Sequence, residues 1–388
     1  MSIKWKGILA IMLLIALVLT ACGGNEGEET AEVVANETEQ VEESDGEEKD
    51  LPTLNVGYIY NDHSLPIMVA AHKAEEFKER GAYLETVIDK ERYRLISAEG
   101  EPVANLEMIV TNSGSEAATL FAQNQLDISF FSITVVMSNR DRDVPIKALG
   151  PIHTEGNSMV FRKDMGIGSW DEFEQYVKEA DEPVTLGYLS PTSSVTIITK
   201  SALEKNGIHY TEDPDDRDAD VLLVNLRATS NYMPALTSGQ VDGWVGPSPF
   251  PMVAEYEEVG IKTADTKDYA PIGHWVDFPC CCLVASESAI EAYPEAMAVF
   301  VELMEHTAEF SNENRDEAAI VVAEWIGIPE EAAKMSTVRY TTVPTEGWMR
   351  GTEILYHFLD DSDHFEGGLA GMEFEEVEGE IFDFRYTQ

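Results

Sequence analysis

The feature that most constrains the fold is a unit that occurs twice, at residues 106–132 and 221–248. Each copy has an apolar run, a cluster of small polar residues, a helix-compatible segment, a Gln-x-Asp triplet and a second apolar run. This order of strand, polar turn, helix and strand is typical of a parallel α/β sheet. Because the copies lie far apart in a chain of 388 residues, they predict two similar α/β lobes.

Polar turns follow four of the predicted strands, at residues 61–64, 111–115, 190–194 and 229–231. In open parallel sheets, ligands bind beyond the carboxyl ends of the strands. Small hydroxyl side chains there leave the first N–H groups of the next helix free to meet a ligand. Each turn taken alone also fits a helix N-cap, since Ser, Thr and Asn are favoured there in any helix. Four such turns, two in each half, favour a cleft between two lobes.

The first 21 residues have the parts of a secretory signal peptide. Lys4 and Lys6 precede an uncharged, mostly apolar stretch that is too short for a spanning helix. The segment Leu19-Thr20-Ala21-Cys22 is similar to a lipobox, so we expect cleavage before Cys22 and lipidation of Cys22. An ordinary signal peptide with a chance Cys, or an uncleaved anchor, is the alternative.

Residues 22–52 are predicted to form a disordered tether that starts at the lipidated Cys22. Twelve acidic residues and one lysine lie between Gly23 and Asp50, with no aromatic residue. Such a segment cannot bury enough apolar surface to offset the entropy lost on ordering.

The formal net charge of the chain is −46. A body this acidic repels phosphate backbones and anionic lipid headgroups, so we expect no nucleic-acid partner. The charge is typical of the solvated surface of a halophilic protein, because high salt screens the repulsion between the acidic residues. A surface that attracts cations is the alternative, and the charge indicates little about the ligand.

The pattern along the chain predicts residues 53–156 plus 284–388 as lobe 1 and residues 157–283 as lobe 2. Hinges are expected at residues 157–160 and 282–285. Residues 82–104 lack a clear hydrophobic period, and residues 373–388 receive no assignment. Further strands are predicted at residues 54–60, 146–151 and 184–189, and closing helices at residues 288–310, 316–325 and 345–359.

Four stretches, together with the lipobox and the tether, resemble a known family. They are LNVGYIYNDHSLPIMVA (54–70), SGSEAATLFAQNQLDISFFS (113–132), VTLGYLSPTSS (184–194) and ALTSGQVDGWVGPSP (235–249). The family is that of extracellular substrate-binding lipoproteins of ABC importers, in the nitrate/sulfonate/taurine branch that also contains binders of thiamine pyrimidine precursors. The resemblance implies an α/β, two-lobed periplasmic-binding-protein-like fold of type II, with two crossover strands and a ligand cleft between the lobes.

The resemblance also implies a function without catalysis or a cofactor. The protein would be a monomer at the outer face of the cell membrane that captures a small organic solute and delivers it to a permease with its ATPase. Predicted ligand-binding residues in lobe 1 are His63, Ser64, Gly114, Ser115, Phe131 and Ser132. In lobe 2 they are Ser193, Ser194, Thr229 and Ser230, with Trp244 or Pro247 lining the opening. Asp127 and Asp242 occupy the same place in both repeated units, so we assign them a structural role.

Three consecutive cysteines, Cys280-Cys281-Cys282, fit neither a disulfide framework nor a Cys-x-x-Cys zinc pattern. They resemble part of an iron-associated motif of the related pyrimidine synthases, although the fourth Cys of that motif is missing. Consecutive side chains of a strand point in different directions, so at most two thiols face one site. Buried structural thiols, a vicinal disulfide and a metal or redox role stay open, and no metal site is predicted.

Two further hypotheses compete with the receptor. One is a pyrimidine-synthase-like or metal-dependent enzyme centred on Cys280–Cys282 and His274, against which the exported, lipid-anchored design argues. The other is a surface sensor of the same fold that presents its closed form to a signalling partner.

Overall fold

The computed structural model describes residues 51–387. The predicted signal peptide, the lipidation site Cys22 and all but the last two residues of the predicted tether lie outside the described residues. Within residues 51–387, no helix combines the length and the hydropathy needed to cross a membrane.

Fifteen strands lie in the described part of the chain. They are β1 (Thr53–Ile59), β2 (Tyr83–Ile88), β3 (Arg92–Ile96), β4 (Pro102–Thr111), β5 (Ile128–Ser132), β6 (Ile146–Pro151), β7 (His153–Thr154), β8 (Asn157–Arg162), β9 (Val184–Tyr188), β10 (Tyr210–Thr211), β11 (Val221–Asn225), β12 (Gly243–Pro247), β13 (Gly260–Asp265), β14 (Cys281–Ser286) and β15 (Arg339–Tyr340).

Fourteen α-helices lie in the same part. They are α1 (Leu65–His72), α2 (Ala74–Phe77), α3 (Gly114–Ala122), α4 (Ile133–Arg140), α5 (Trp170–Glu179), α6 (Ser194–Lys205), α7 (Tyr232–Ser238), α8 (Phe250–Tyr256), α9 (Glu287–Ala292), α10 (Pro294–Glu313), α11 (Arg315–Ile326), α12 (Glu330–Ala333), α13 (Glu346–Asp361) and α14 (Phe374–Ile381).

Two main sheets organise these elements. The first has the order β2-β3-β4-β1-β5-β14-β6, with β1 parallel to β4 and β5 and with β14 antiparallel to β5 and β6. The second has the order β10-β11-β9-β12-β8-β13, with β9 parallel to β11 and β12 and with β8 antiparallel to its neighbours. Both repeated units form as predicted: β4–α3–β5 lies in the first sheet and β11–α7–β12 in the second.

The chain passes from the first sheet to the second between β6 and β8, and returns between β13 and β14. The segments 157–160 and 282–285, proposed above as hinges, lie inside β8 and β14. Each of these strands is paired on both sides, and the passages precede Asn157 and Cys281. The hinge positions and the lobe boundaries stay predictions.

The two segments without a clear pattern have regular structure. Residues 82–104 contain β2 and β3 and the start of β4, which form the edge of the first sheet. Most of β2 is exposed, so it lacks the alternation that marks a half-buried strand. The tail forms α14, whose Phe374, Val377 and Ile381 are buried at helical spacing.

The hydrophobic core is continuous between the two sheets. One cluster contains Phe131 of β5 and Val135 of α4 together with Tyr188 of β9 and Val195 of α6. The helix α13, near the C-terminus, packs on both α4 and α6. A second cluster lies between the first sheet and α1, α10 and α11.

Candidate functional site

A pocket with a cavity volume of about 30 Å³ lies where strand ends of the two sheets meet. Its walls come from both sheets and from the passage that precedes β14. The lining residues are Ile59, Asn61, His63, Gly114, Phe131, Ser132, Val135, Asn157, Leu189, Ser190, Ser193, Val195, Pro247, Cys280 and Cys281.

Six of the residues singled out in the sequence lie in this lining, namely His63, Gly114, Phe131, Ser132, Ser193 and Pro247. Gly114 is the first residue of α3, and a Cβ atom at this position would lie 2.8 Å from the Cβ of Phe131. Only glycine therefore lets the start of α3 approach the end of β5 so closely. That these residues bind a ligand stays a prediction.

Three other predicted residues lie beside the pocket and do not line it. The hydroxyl of Ser64 is buried and accepts a hydrogen bond from the Ile59 N–H at 3.4 Å. The hydroxyl of Ser115 lies 3.2 Å from that of Thr192, and the hydroxyl of Ser194 lies 3.3 Å from that of Thr134. Ser115 and Ser194 therefore connect the two lobes at the rim of the pocket.

Thr229, Ser230 and Trp244 lie away from the pocket. In the turn 229–231, the side chain of Asn231 donates to the Leu226 carbonyl, so the turn closes on its own backbone and leaves Ser230 exposed. Trp244 is fully buried and stacks on Tyr232 at 4.5 Å between ring centroids. Both faces of this sheet are buried, so an aromatic residue on β12 faces the core as readily as the cleft.

Asn61, Asn157 and Ser190 are the polar lining residues that sequence analysis did not single out as ligand-binding. Asn61 belongs to the first polar turn, and its buried side-chain oxygen has no hydrogen-bond partner among the described residues. Asn157 begins β8 and donates from its amide nitrogen to the Cys280 sulfur at 3.2 Å. The polar turn 61–64 was a signal for Asn61, whereas only the folded chain brings Asn157 to the pocket.

A second set of contacts between the lobes surrounds Asp62, which is buried. One carboxylate oxygen of Asp62 accepts hydrogen bonds from the hydroxyls of Ser248 and Ser336, each at 2.6 Å. The Asp62 carbonyl accepts a hydrogen bond from the Tyr340 hydroxyl at 2.9 Å. Because Ser248 follows β12 of the second sheet and Asp62 follows β1 of the first, the bond from Ser248 is available only when the lobes are together.

The floor of the pocket contains four buried side chains with nitrogen and sulfur atoms: His63, His153, Cys280 and Cys281. A hydrogen bond from the Cys281 thiol, with the charge of His63 nearby, lowers the pKa of Cys280 well below its usual value. The same hydrogen bond and burial raise the pKa of Cys281. Burial acts to lower the pKa of His63, but the adjacent Cys280 outweighs it and the pKa is raised. Burial lowers the pKa of His153.

The enzyme hypothesis combined Cys280–Cys282 with His274, and the structure groups the residues differently. Cys282 points into the core cluster with Phe131, and burial raises the pKa of its thiol well above its usual value. His274 packs against Trp275 and Phe278 and is not one of the four clustered residues. The structure therefore groups Cys280 and Cys281 with two histidines that are distant in sequence.

Comparison with known proteins agrees with this architecture. The model of the NMT1-like family matches residues 47–327. Over 111 residues the chain is 32% identical to an uncharacterised protein of Methanocaldococcus jannaschii, a match that covers 28% of this chain and 76% of that protein.

Solved structures share the fold at low sequence identity. A ligand-binding component of an ABC-type import system from Staphylococcus aureus, with zinc bound, has a TM-score of 0.66 and 14% identity, and the match covers 87% of this chain and 99% of that chain. The periplasmic nitrate-binding protein of Synechocystis has a TM-score of 0.61 and 13% identity, with 87% of each chain covered. The periplasmic aliphatic sulphonate-binding protein of Escherichia coli has a TM-score of 0.59 and 11% identity, with 87% of this chain and 99% of that chain covered.

These likenesses confirm the two-lobed periplasmic-binding-protein fold that the sequence predicts. The family match extends over most of the chain, including both repeated units and the three cysteines. This protein is a member of the NMT1-like family.

Proposed function

We propose that this protein is the extracytoplasmic solute-binding component of an ABC importer, anchored to the outer face of the cell membrane through lipid on Cys22. In this role it captures a small organic solute between its lobes and delivers it to the permease with its ATPase. The observation that carries the proposal is a single pocket whose walls come from both sheets. No step of this function requires bond chemistry.

The shared walls give the binding mechanism. A solute in the pocket contacts Phe131 and Ser132 of one lobe and Leu189 and Ser193 of the other. Both sets of contacts exist only when the lobes are together, so the solute stabilises the closed form in proportion to its extra contacts there. The closed form is then the one that the permease recognises.

The lining indicates a partly apolar solute. Among the described residues that line the pocket there is no Lys, Arg, Asp or Glu. Apolar walls are formed by Ile59, Phe131, Val135, Leu189 and Val195. The unpartnered oxygen of Asn61 is placed to accept a hydrogen bond from an N–H or O–H group of the solute.

The proposal is tested by identifying the solute and then removing one contact to it. Mass spectrometry of the small molecules released on denaturing the purified protein gives the candidate solute. Replacing Asn61→Leu removes the acceptor and should weaken binding of that solute about tenfold or more, since an unpaired buried donor costs about 1–3 kcal/mol.

Isothermal titration calorimetry measures the affinity, with Asn225→Leu as the matched control on an exposed residue. Equal affinity of wild type and Asn61→Leu for the released solute would contradict the placement of the site. Release of no small molecule, together with no binding in a solute screen by thermal shift, would contradict the receptor function itself.

A further inference from the structure

Four potential metal ligands from three distant parts of the chain meet at the floor of the pocket. His63 follows β1, His153 lies on β7, and Cys280 and Cys281 lie at the start of β14. One ligand atom of each residue lies within 4.8 Å of the corresponding atom of every other residue, and all four residues are buried. No carboxylate belongs to this group.

The distances between these atoms suit a single tetrahedral ion. Tetrahedral zinc, with bonds of about 2.3 Å to sulfur and about 2.0–2.1 Å to nitrogen, separates two sulfurs by about 3.8 Å and a sulfur from a nitrogen by about 3.6 Å. In the protein, the sulfurs of Cys280 and Cys281 are 3.8 Å apart. The Nδ1 atom of His63 lies 3.7 Å from the Cys280 sulfur and 3.8 Å from the Cys281 sulfur.

The surroundings orient His63 as a metal ligand. Its Nε2–H donates to the Gly156 carbonyl at 2.9 Å, so the lone pair of the neutral ring is on Nδ1 and faces the two sulfurs. Such a hydrogen bond on the far ring nitrogen is the usual support of a ligating histidine. Gly156 makes this contact possible, because it has φ of +79° and a Cβ there would lie 2.4 Å from Val338.

The environment of His153 points to a metal ion independently of these distances. It is 0% exposed, and neither ring nitrogen has a hydrogen-bond partner among the described residues. Its ring centroid is 4.0 Å from that of His63, so it lies against the same group of atoms. A fully buried imidazole without a partner loses its hydration without compensation, and coordination to a cation would supply that compensation.

We propose that His63, His153, Cys280 and Cys281 form a tetrahedral site for a thiophilic metal ion, with Zn²⁺ as the expected occupant. Two thiolates and two imidazoles in tetrahedral arrangement suit zinc better than Mg²⁺ or Ca²⁺, which prefer oxygen ligands. Because four protein atoms complete the coordination, the ion would be structural. It would tie both passages between the lobes to the turn after β1, at the base of the pocket.

Metal binding deprotonates the two thiols, and the released protons go to solvent; no oxidant or reductant is involved. The donor from Asn157 to the Cys280 sulfur would then stabilise the thiolate. The site does not depend on the proposed transport function, because it is assembled from residues of this chain alone and can be measured without any solute.

The experiment uses the purified full-length protein with its thiols reduced and its metal removed by a chelator. Adding Co²⁺ should give a thiolate-to-cobalt charge-transfer band and the intense visible bands of tetrahedral cobalt, saturating at one ion per chain. Zn²⁺ should then displace Co²⁺ and abolish these bands. Absence of the tetrahedral spectrum in the reduced wild-type protein would overturn the proposal without any variant being needed.

Variants identify the ligands. Cys281→Ser and His153→Asn should each lower the affinity for Zn²⁺ at least about a hundredfold, measured by competition with a chromophoric chelator. Cys282→Ala is the matched control, since its thiol lies on the other side of the strand, and it should keep the affinity and the cobalt spectrum of wild type. Loss of the spectrum in Cys282→Ala, or its full retention in Cys281→Ser, would overturn the assignment. So would an intact mass showing a Cys280–Cys281 disulfide that resists reduction.

Discussion

At the scale of single residues, the two repeated aspartates hold neighbouring strands in register. One carboxylate oxygen of Asp127 accepts a hydrogen bond from the Asn55 N–H at 2.8 Å, which connects the start of β5 to β1. The equivalent oxygen of Asp242 accepts from the N–H and the hydroxyl of Thr185, which connects the start of β12 to β9. Their structural assignment from the sequence agrees with these contacts, because a residue that serves strand pairing recurs wherever the unit recurs.

Asp127 also gives a pH-dependent prediction. Burial raises the pKa of Asp127, and the bond from Asn55 offsets this only in part. Such a carboxyl contributes stability below its unfolded pKa of about 3.9, and the contribution is lost as the pH rises through the folded pKa. Asp127→Asn keeps an acceptor oxygen without titrating. The free energy of unfolding of the variant minus that of wild type should therefore increase with pH and reach a plateau above the raised pKa.

Urea unfolding of both proteins at a series of pH values measures this difference. Asp361→Asn, on the exposed end of α13, is the control and should show no such trend. A difference that stays constant or falls with rising pH would contradict the burial of the Asp127 carboxylate.

At the scale of elements, two helices begin with the same capping arrangement in different places. The hydroxyl of Ser113 accepts from the Glu116 N–H at the start of α3, and that of Ser169 accepts from the Glu172 N–H at the start of α5. The carboxylate of each glutamate accepts a hydrogen bond from the backbone N–H of the residue before the N-cap, Asn112 in one case and Gly168 in the other. Both helices thus have a capping box, but only α3 starts at the pocket.

Alanine substitution separates the contribution of such a cap to stability from its effect on the position of the helix start. Ser113→Ala and Ser169→Ala should each lower the free energy of unfolding by about 1 kcal/mol, the usual cost of losing a helix N-cap. Only Ser113→Ala should also weaken solute binding, because it loosens the first turn that positions Gly114 beside Phe131. Chemical unfolding and calorimetric titration give both quantities. Equal binding losses in the two variants would show that global stability, and not the position of α3, controls affinity.

The elements also show how far the sequence determines the site. His63, Gly114 and Ser193 could be predicted, since polar and small residues after buried strands mark the ends where parallel sheets bind ligands. Trp244 could not, because strands buried on both faces give no signal of which face an aromatic side chain occupies. His153 and Cys280 could not be paired either, since their proximity depends on how β7 and β14 meet after both passages have formed.

At the scale of the whole molecule, hydroxyl contacts at the pocket rim join the two lobes, in addition to the shared hydrophobic cluster and the bond from Ser248 to Asp62. Ser115 contacts Ser190 and Thr192, and the Thr134 hydroxyl donates to the Thr192 carbonyl at 2.6 Å. Ser115 is half-buried in the first turn of α3, and its hydroxyl contacts Ser190 and Thr192 of the other lobe, so a much larger side chain there would push against these two residues.

Ser115→Trp should therefore keep the lobes apart while each lobe stays folded. Small-angle X-ray scattering should show a larger radius of gyration than for wild type, and the solute that co-purifies with wild type should neither compact nor thermally stabilise the variant. Ser238→Trp, at an exposed position of α7, is the control and should behave as wild type. Unchanged compaction in Ser115→Trp would contradict the proposed closing surface.

The rim contacts join neutral groups, hydroxyl to hydroxyl or hydroxyl to carbonyl, and water can replace every one of them when the lobes separate. A neutral hydrogen bond of this kind contributes only about 0.5–1.5 kcal/mol net. The rim contacts alone therefore give the closed arrangement little advantage over the open one. In the proposed receptor, a guest that bridges both lobes would supply the larger share of that advantage, and its departure would remove it.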